Sequence, residues 1–152
     1  MKKIFLILSF VIFCTCSYGQ NLVSQDALEA AFIFHFINFT EWTDDQPEYN
    51  ICIPDDDELR SAVEQSLKGK VVNNRKINVV NRYEKCHILV SNIVPPPSQN
   101  TLTIGPLAKG ALLEFRVISN KLKFAANPET IKKSKLKISS QLLKLAILEN
   151  GA

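Results

Sequence analysis

The chain has 152 residues, with 18 Lys and Arg against 15 Asp and Glu. That near balance gives no electrostatic reason to expect nucleic acid as a partner, and the length suits one domain with a single core.

The first residues read "MKKIFLILSFVIFCTCSYGQ", with Lys2 and Lys3 before an apolar run from Ile4 to Cys14 and a small-x-small site at Ser17-Tyr18-Gly19. This is the pattern of a secretory signal peptide over residues 1–19, leaving a mature domain over 20–152. The apolar run is shorter than the roughly 20 residues a membrane span requires, so no transmembrane segment is expected after cleavage. Cys14 or Cys16 would carry lipid in a lipoprotein, but Phe13 and Thr15 fit such a cleavage site poorly. Without the leader, 16 Lys and Arg face 15 Asp and Glu. Cys52 and Cys86 are then the remaining cysteines, and in an exported chain they are expected to be joined. The bridge would close a loop of roughly 33 residues and stabilise the fold by about 3 to 4 kcal/mol. A structural staple is the favoured reading over a redox sensor.

Ser24 can cap a helix beginning at Gln25, with Asp26 in its first turn. From there to Thr40 the chain has no Gly, Pro or turn cluster, a length that favours helix over strand despite the aromatic content. Leu28, Phe32, His35, Phe36 and Phe39 share one helical face. Ile33 and Ile37 make a second face apolar, which predicts a helix sandwiched on both sides.

A short buried strand follows at "YNICIP" (49–54), then a helix over 55–69 ending at Gly69. Further strands are expected near 76–82, 86–91 and 101–105. Strand, helix, strand in this order implies an α/β fold with a mostly parallel, mixed sheet flanked by helices. Ile93 to Asn100, with Pro95-Pro96-Pro97, is a loop short for a parallel crossover, so an antiparallel or strained step is the expectation there. Residues 110–127 read as a C-terminal β-hairpin about Ser119-Asn120. "PETIKKS" (128–134) starts a short helix with proline in its first turn, and 139–151 reads as a final amphipathic helix.

"IPDDDELR" is the stretch closest to an active site. Asp55, Asp56 and Asp57 lie beyond a strand's carboxyl end, where they could line a ligand cleft, hold Mg2+ or act as paired acids. The simpler reading is a cap from Asp55 or Asp56 and carboxylates complementing the helix dipole. His35 and His87 are too differently placed to suggest a metal set, and are read as packing or hydrogen-bonded residues. Neither a Ser/His/Asp nor a Cys/His catalytic arrangement is legible, and no cofactor is called for. Lys132, Lys133, Lys135, Lys137 and Lys144 are expected to form a solvated face.

Four stretches in order, "AAFIFHFINFTEW" (30–42), "NICIPDDDEL" (50–59), "CHILVSN" (86–92) and "LKFAANPETIKKSKLKISSQLLKLA" (122–146), resemble the YfiR family of small periplasmic proteins. The resemblance covers nearly all of the mature chain. It implies a non-enzymatic periplasmic repressor that binds the periplasmic domain of an inner-membrane diguanylate cyclase, restraining cyclic-di-GMP signalling and biofilm formation. It also supports the Cys52–Cys86 bridge. The contact surface would be an apolar and aromatic patch around Phe39, Glu41 and Trp42. Self-association into a homodimer is left open. The alternative is a small-molecule module whose cleft near Asp55 to Asp57 reports to a sensor histidine kinase; a metal-dependent hydrolase built on the same acids is the third reading.

Overall fold

The computed structural model describes residues 23–93 and 100–150; the leader, the lipidation question and Pro95-Pro96-Pro97 lie outside them. Helix α1 (Gln25–Asn38) begins where Ser24 Oγ accepts a hydrogen bond from the Ala27 N–H. Strand β1 (Thr40–Glu41) follows directly, and β2 (Glu48–Cys52) enters the main sheet. Helix α2 (Asp57–Leu67) crosses to a tight hairpin of β3 (Val71–Val72) and β4 (Arg75–Val80). Asn73 and Asn74 turn this hairpin with φ of 49° and 63°, the left-handed pair of a type I′ turn. Then come β5 (Ile88–Val90) and β6 (Leu102–Ile104). The expected hairpin is β7 (Leu113–Ile118) and β8 (Lys121–Ala126), turned by Ser119 and Asn120 at φ of 52° and 58°.

The sheet runs β10-β8-β7-β6-β5-β2-β4-β3, where β10 is the last strand, Ile147–Leu148. Strands β4, β2, β5, β6 and β7 are mutually parallel, while β3 on β4 and β8 on β7 are antiparallel. This is the mixed, mostly parallel α/β architecture expected. The step from β5 to β6 is parallel, which overturns the antiparallel half of the antiparallel-or-strained expectation. Each of these strands has three residues, so the chain returns only about 10 Å to an adjacent position, within reach of a short connection.

Two helical expectations are corrected. Helix α1 is buried on one face, where Ala30, Ile33, Phe36 and Ile37 are fully enclosed with Leu59 and Val63 of α2 and with the sheet. The other face, with Leu28, His35 and Phe39, remains open. Phe36 meets Phe124 edge-on at 5.1 Å and stacks on Phe115 at 5.9 Å, which fixes the helix over the β7–β8 hairpin. The final amphipathic helix is instead a single turn, α4 (Ser140–Leu143), and the chain then straightens into β10 (Ile147–Leu148), parallel to β8. Between hairpin and α4 lie α3 (Pro128–Ser134), capped by Asn127, and β9 (Lys137–Ile138), which pairs antiparallel with β1. The five lysines named above are all exposed.

Cys52 and Cys86 are bonded, with Cα atoms 5.8 Å apart. The bridge ties the last residue of β2 to the segment leading into β5, and Cys52 is fully buried.

Candidate functional site

Next to the disulfide, His87 is the centre of a buried polar knot. Its Nδ1 accepts from the Asn50 backbone N–H at 3.0 Å, which fixes the proton on Nε2, and Nε2–H donates to Asp44 Oδ2 at 2.8 Å. Arg75 Nη2 donates to Asp44 Oδ1 at 2.8 Å and to the Glu48 carbonyl at 3.2 Å. The same Nη2 is 2.9 Å from His87 Nε2, an approach of two donors rather than a bond. Trp42 and Tyr49 present their rings edge-on to His87 at 5.4 and 5.3 Å, and the Arg75 guanidinium lies 4.0 Å above the Tyr49 ring.

Burial pushes the His87 pKa below its usual value and Arg75 adds to this, while Asp44 opposes it. Burial alone would raise Asp44, but the Gln46 N–H, His87 and Arg75 together hold it below the usual carboxylate range. The knot is therefore a neutral imidazole clamped by an ion pair. Asp44 and His87 also border a hollow of about 450 Å³ that runs past Cys86.

The residues expected to meet a partner, Phe39, Glu41 and Trp42, come together on the other side of Arg75. With Thr40, Tyr49 and Lys137 they line a cleft of about 660 Å³. The β1–β9 pair forms its ledge, Glu41 opposite Lys137 and Thr40 opposite Ile138. Glu41 and Lys137 are 3.7 Å apart and well exposed, so their attraction contributes little to stability. Among the described residues, the buried side-chain polar atoms left without a hydrogen-bond partner are Thr40 Oγ1, Trp42 Nε1 and Arg75 Nε, and all three residues line this one cleft.

The acids of "IPDDDELR" do not converge. Asp56 caps α2, accepting from the Leu59 N–H at 2.9 Å; Asp57 pairs with Arg60 at 2.6 Å; Asp55 accepts from Ser91 Oγ at 2.8 Å. Asp55 and Asp56 do border a crevice of about 260 Å³ with Glu29 and Glu114. It lies outside the carboxyl ends of β2 and β5, where the chain leaves in opposite directions toward β4 and β6, the switch point at which open α/β sheets hold ligands. Burial, reinforced by Asp26 and Asp56, raises the Glu29 pKa against the lowering effect of Gln25. Among the described residues no group of three or more His, Cys, Asp and Glu side chains is placed to hold a metal ion. His35 lies on the exposed side of α1, not in the interior, whereas His87 is 3% exposed and hydrogen-bonded as expected.

The knot itself was not legible in sequence, because Asp44, Arg75 and His87 come from three separate segments. The one local hint is His87 beside Cys86, which places an imidazole next to a covalent anchor.

A parallel-centred sheet, the packed pair α1 and α2, the Cys52–Cys86 disulfide and clefts of different character define a small stapled α/β domain. Residues 26–147 match the model of the YfiR/HmsC-like family, and the chain belongs to that family. The family is one of periplasmic regulators rather than typical catalysts. No curated protein matches the chain. Among the described residues no helix is long and apolar enough to cross a membrane.

Proposed function

We propose that this protein is exported to the periplasm and restrains an inner-membrane sensor of the diguanylate cyclase type by binding its periplasmic domain, so limiting cyclic-di-GMP signalling. The observation that carries the reading is the gathering of Phe39, Glu41 and Trp42 on one ledge of a family-typed regulator. Phe39 is 36% exposed and Trp42 half-buried, an aromatic anchor beside a charged rim, which is the make-up of a contact surface. The His87 knot packs against Trp42 from behind and steadies the backbone of that ledge, which limits the ordering entropy lost on docking. A photo-crosslinking residue at position 39, installed in cells, should capture a membrane protein with a cytoplasmic cyclase domain. Repeated capture of nothing from the membrane, with the protein present at normal levels, overturns the reading.

A second reading is favoured by the switch-point crevice beside Asp55: a small ligand there, reported to a sensor histidine kinase. A rise in melting temperature that grows with metabolite concentration and is lost in Asp55→Asn would support it over direct repression.

A further inference from the structure

The three unpaired buried atoms are not scattered. A folded interior leaves few side-chain polar atoms without a partner, and each costs stability unless something else supplies the missing bond. Here Thr40, Trp42 and Arg75 all line the 660 Å³ cleft, with Oγ1, Nε1 and Nε covered just behind its surface, and Thr40 is only 4% exposed. Two of the three, the indole and guanidinium N–H groups, can only donate, and the threonine hydroxyl can donate as well. Arg75, already paired with Asp44, and Lys137 line the cleft with Glu41 as its one lining acid, and Phe39, Tyr49 and Ile138 supply apolar surface beside the three donor residues.

We propose that this cleft binds a small organic carboxylate, its oxygens accepting from Arg75 Nε, Trp42 Nε1 and Thr40 Oγ1 and its apolar body lying against Phe39, Tyr49 and Ile138. An oxyanion supplies acceptors where the protein has a surplus of donors, and a planar carboxylate suits a guanidinium edge. A cationic amine would leave the same donors unpaired. The volume falls in the range of ordinary small-molecule sites. The three polar atoms are buried in the empty protein, so the wall loosens as the ligand enters. Trp42, the chain's single tryptophan, reports that change through its fluorescence. Binding stands independently of the partner reading above; only its consequence, that an occupied cleft alters the ledge offered to a sensor, rests on that reading.

The test titrates the purified mature protein with hexanoate and, as a neutral isostere, hexanamide, following Trp42 fluorescence. Hexanoate should saturate at or below about 1 mM and hexanamide should bind at least about tenfold more weakly. Thr40→Val, which removes the unpaired hydroxyl at nearly constant shape, should raise the melting temperature of the empty protein yet weaken hexanoate about tenfold. A purely structural threonine would not separate the two readouts. Equal binding of acid and amide, no saturation by hexanoate, or undiminished binding in Thr40→Val overturns the proposal, whatever the fate of the sensor partner.

Discussion

The crevice at the carboxyl edge of the sheet and the cleft beneath the β1–β9 pair are both rimmed by charged groups, and they use them differently. In the crevice, Asp55 and Asp56 each hold a specific donor, a serine hydroxyl and a helix N–H, and the neighbouring Asp57, outside the crevice, pairs with an arginine. In the cleft, three wall residues keep a buried polar atom with no partner among the described residues. A run of aspartates draws the eye in sequence, yet here those carboxylates are committed to the local structure of β2 and α2. Capacity for a new contact lies where bonds are missing. The contrast also extends to how the two places are anchored, since the cleft side is backed by the knot around His87, the residue that directly follows disulfide-bonded Cys86.

The strongest way to break the comparison is to remove that anchor. A Cys52→Ala, Cys86→Ala double variant should lose about 3 to 4 kcal/mol in urea unfolding, with Trp42 emission shifting before the far-ultraviolet signal as the cleft side loosens first. Coincident transitions would show that the bridge braces the whole domain evenly.

Next in size is the knot. His87→Ala leaves the Asn50 N–H and one oxygen of Asp44 unpaired in the interior, and should cost about 2 to 3 kcal/mol by the same measurement. The knot also sets a pH dependence. His87 has its folded pKa below its unfolded value, so the unfolded chain binds the extra proton more readily. The stability this contributes is complete above about pH 6.5 and is lost as pH falls below it. Asp44, held low in the fold, adds a loss in the same direction at more acid pH. Unfolding curves at pH 7 and 5.5 should therefore show a fall in stability for the wild type and a smaller fall for His87→Asn; equal falls would place the titration elsewhere.

The smallest effects belong to the crevice. Asp56→Ala removes the α2 cap and should cost about 1 kcal/mol, and Asp57→Ala, just outside the crevice with its own carboxylate exposed to solvent, less than about 0.5 kcal/mol. Both should leave regulation of a sensor intact, as judged by cellular cyclic-di-GMP. A regulatory defect from Asp56→Ala in a protein present at normal level would reverse the ranking of the two sites.

Much of this fold was legible because its main signals are local. The unbroken stretch from Gln25 identified α1, the Ser119-Asn120 pair marked the hairpin, and the two cysteines beyond the expected leader pointed to their bridge. Strands β1, β3, β9 and β10 have two residues each, too few for any period to register, and they exist because a neighbouring edge offers hydrogen bonds. For the same reason the last helix was overread: "SSQLLKLAIL" has helical spacing, but the free edge of β8 takes Ile147 and Leu148 instead. The buried face of α1 was misassigned because aromatic residues surround the helix, and only the positions of α2 and the sheet decide which of them are enclosed. Of the candidate site, Phe39, Glu41 and Trp42 were visible as an aromatic cluster with a charge. Arg75 and Thr40, which complete the cleft, were not, since tertiary pairing alone brings them there.

The central claim is that the protein acts by contact through the Trp42 ledge, and cellular cyclic-di-GMP in a Trp42→Ala strain tests it most directly. With the variant protein present at wild-type level, the account predicts a rise in cyclic-di-GMP matching that of a strain lacking the protein, while Asp57→Ala stays at the wild-type value. A Trp42→Ala strain that keeps cyclic-di-GMP as low as the wild type would contradict it.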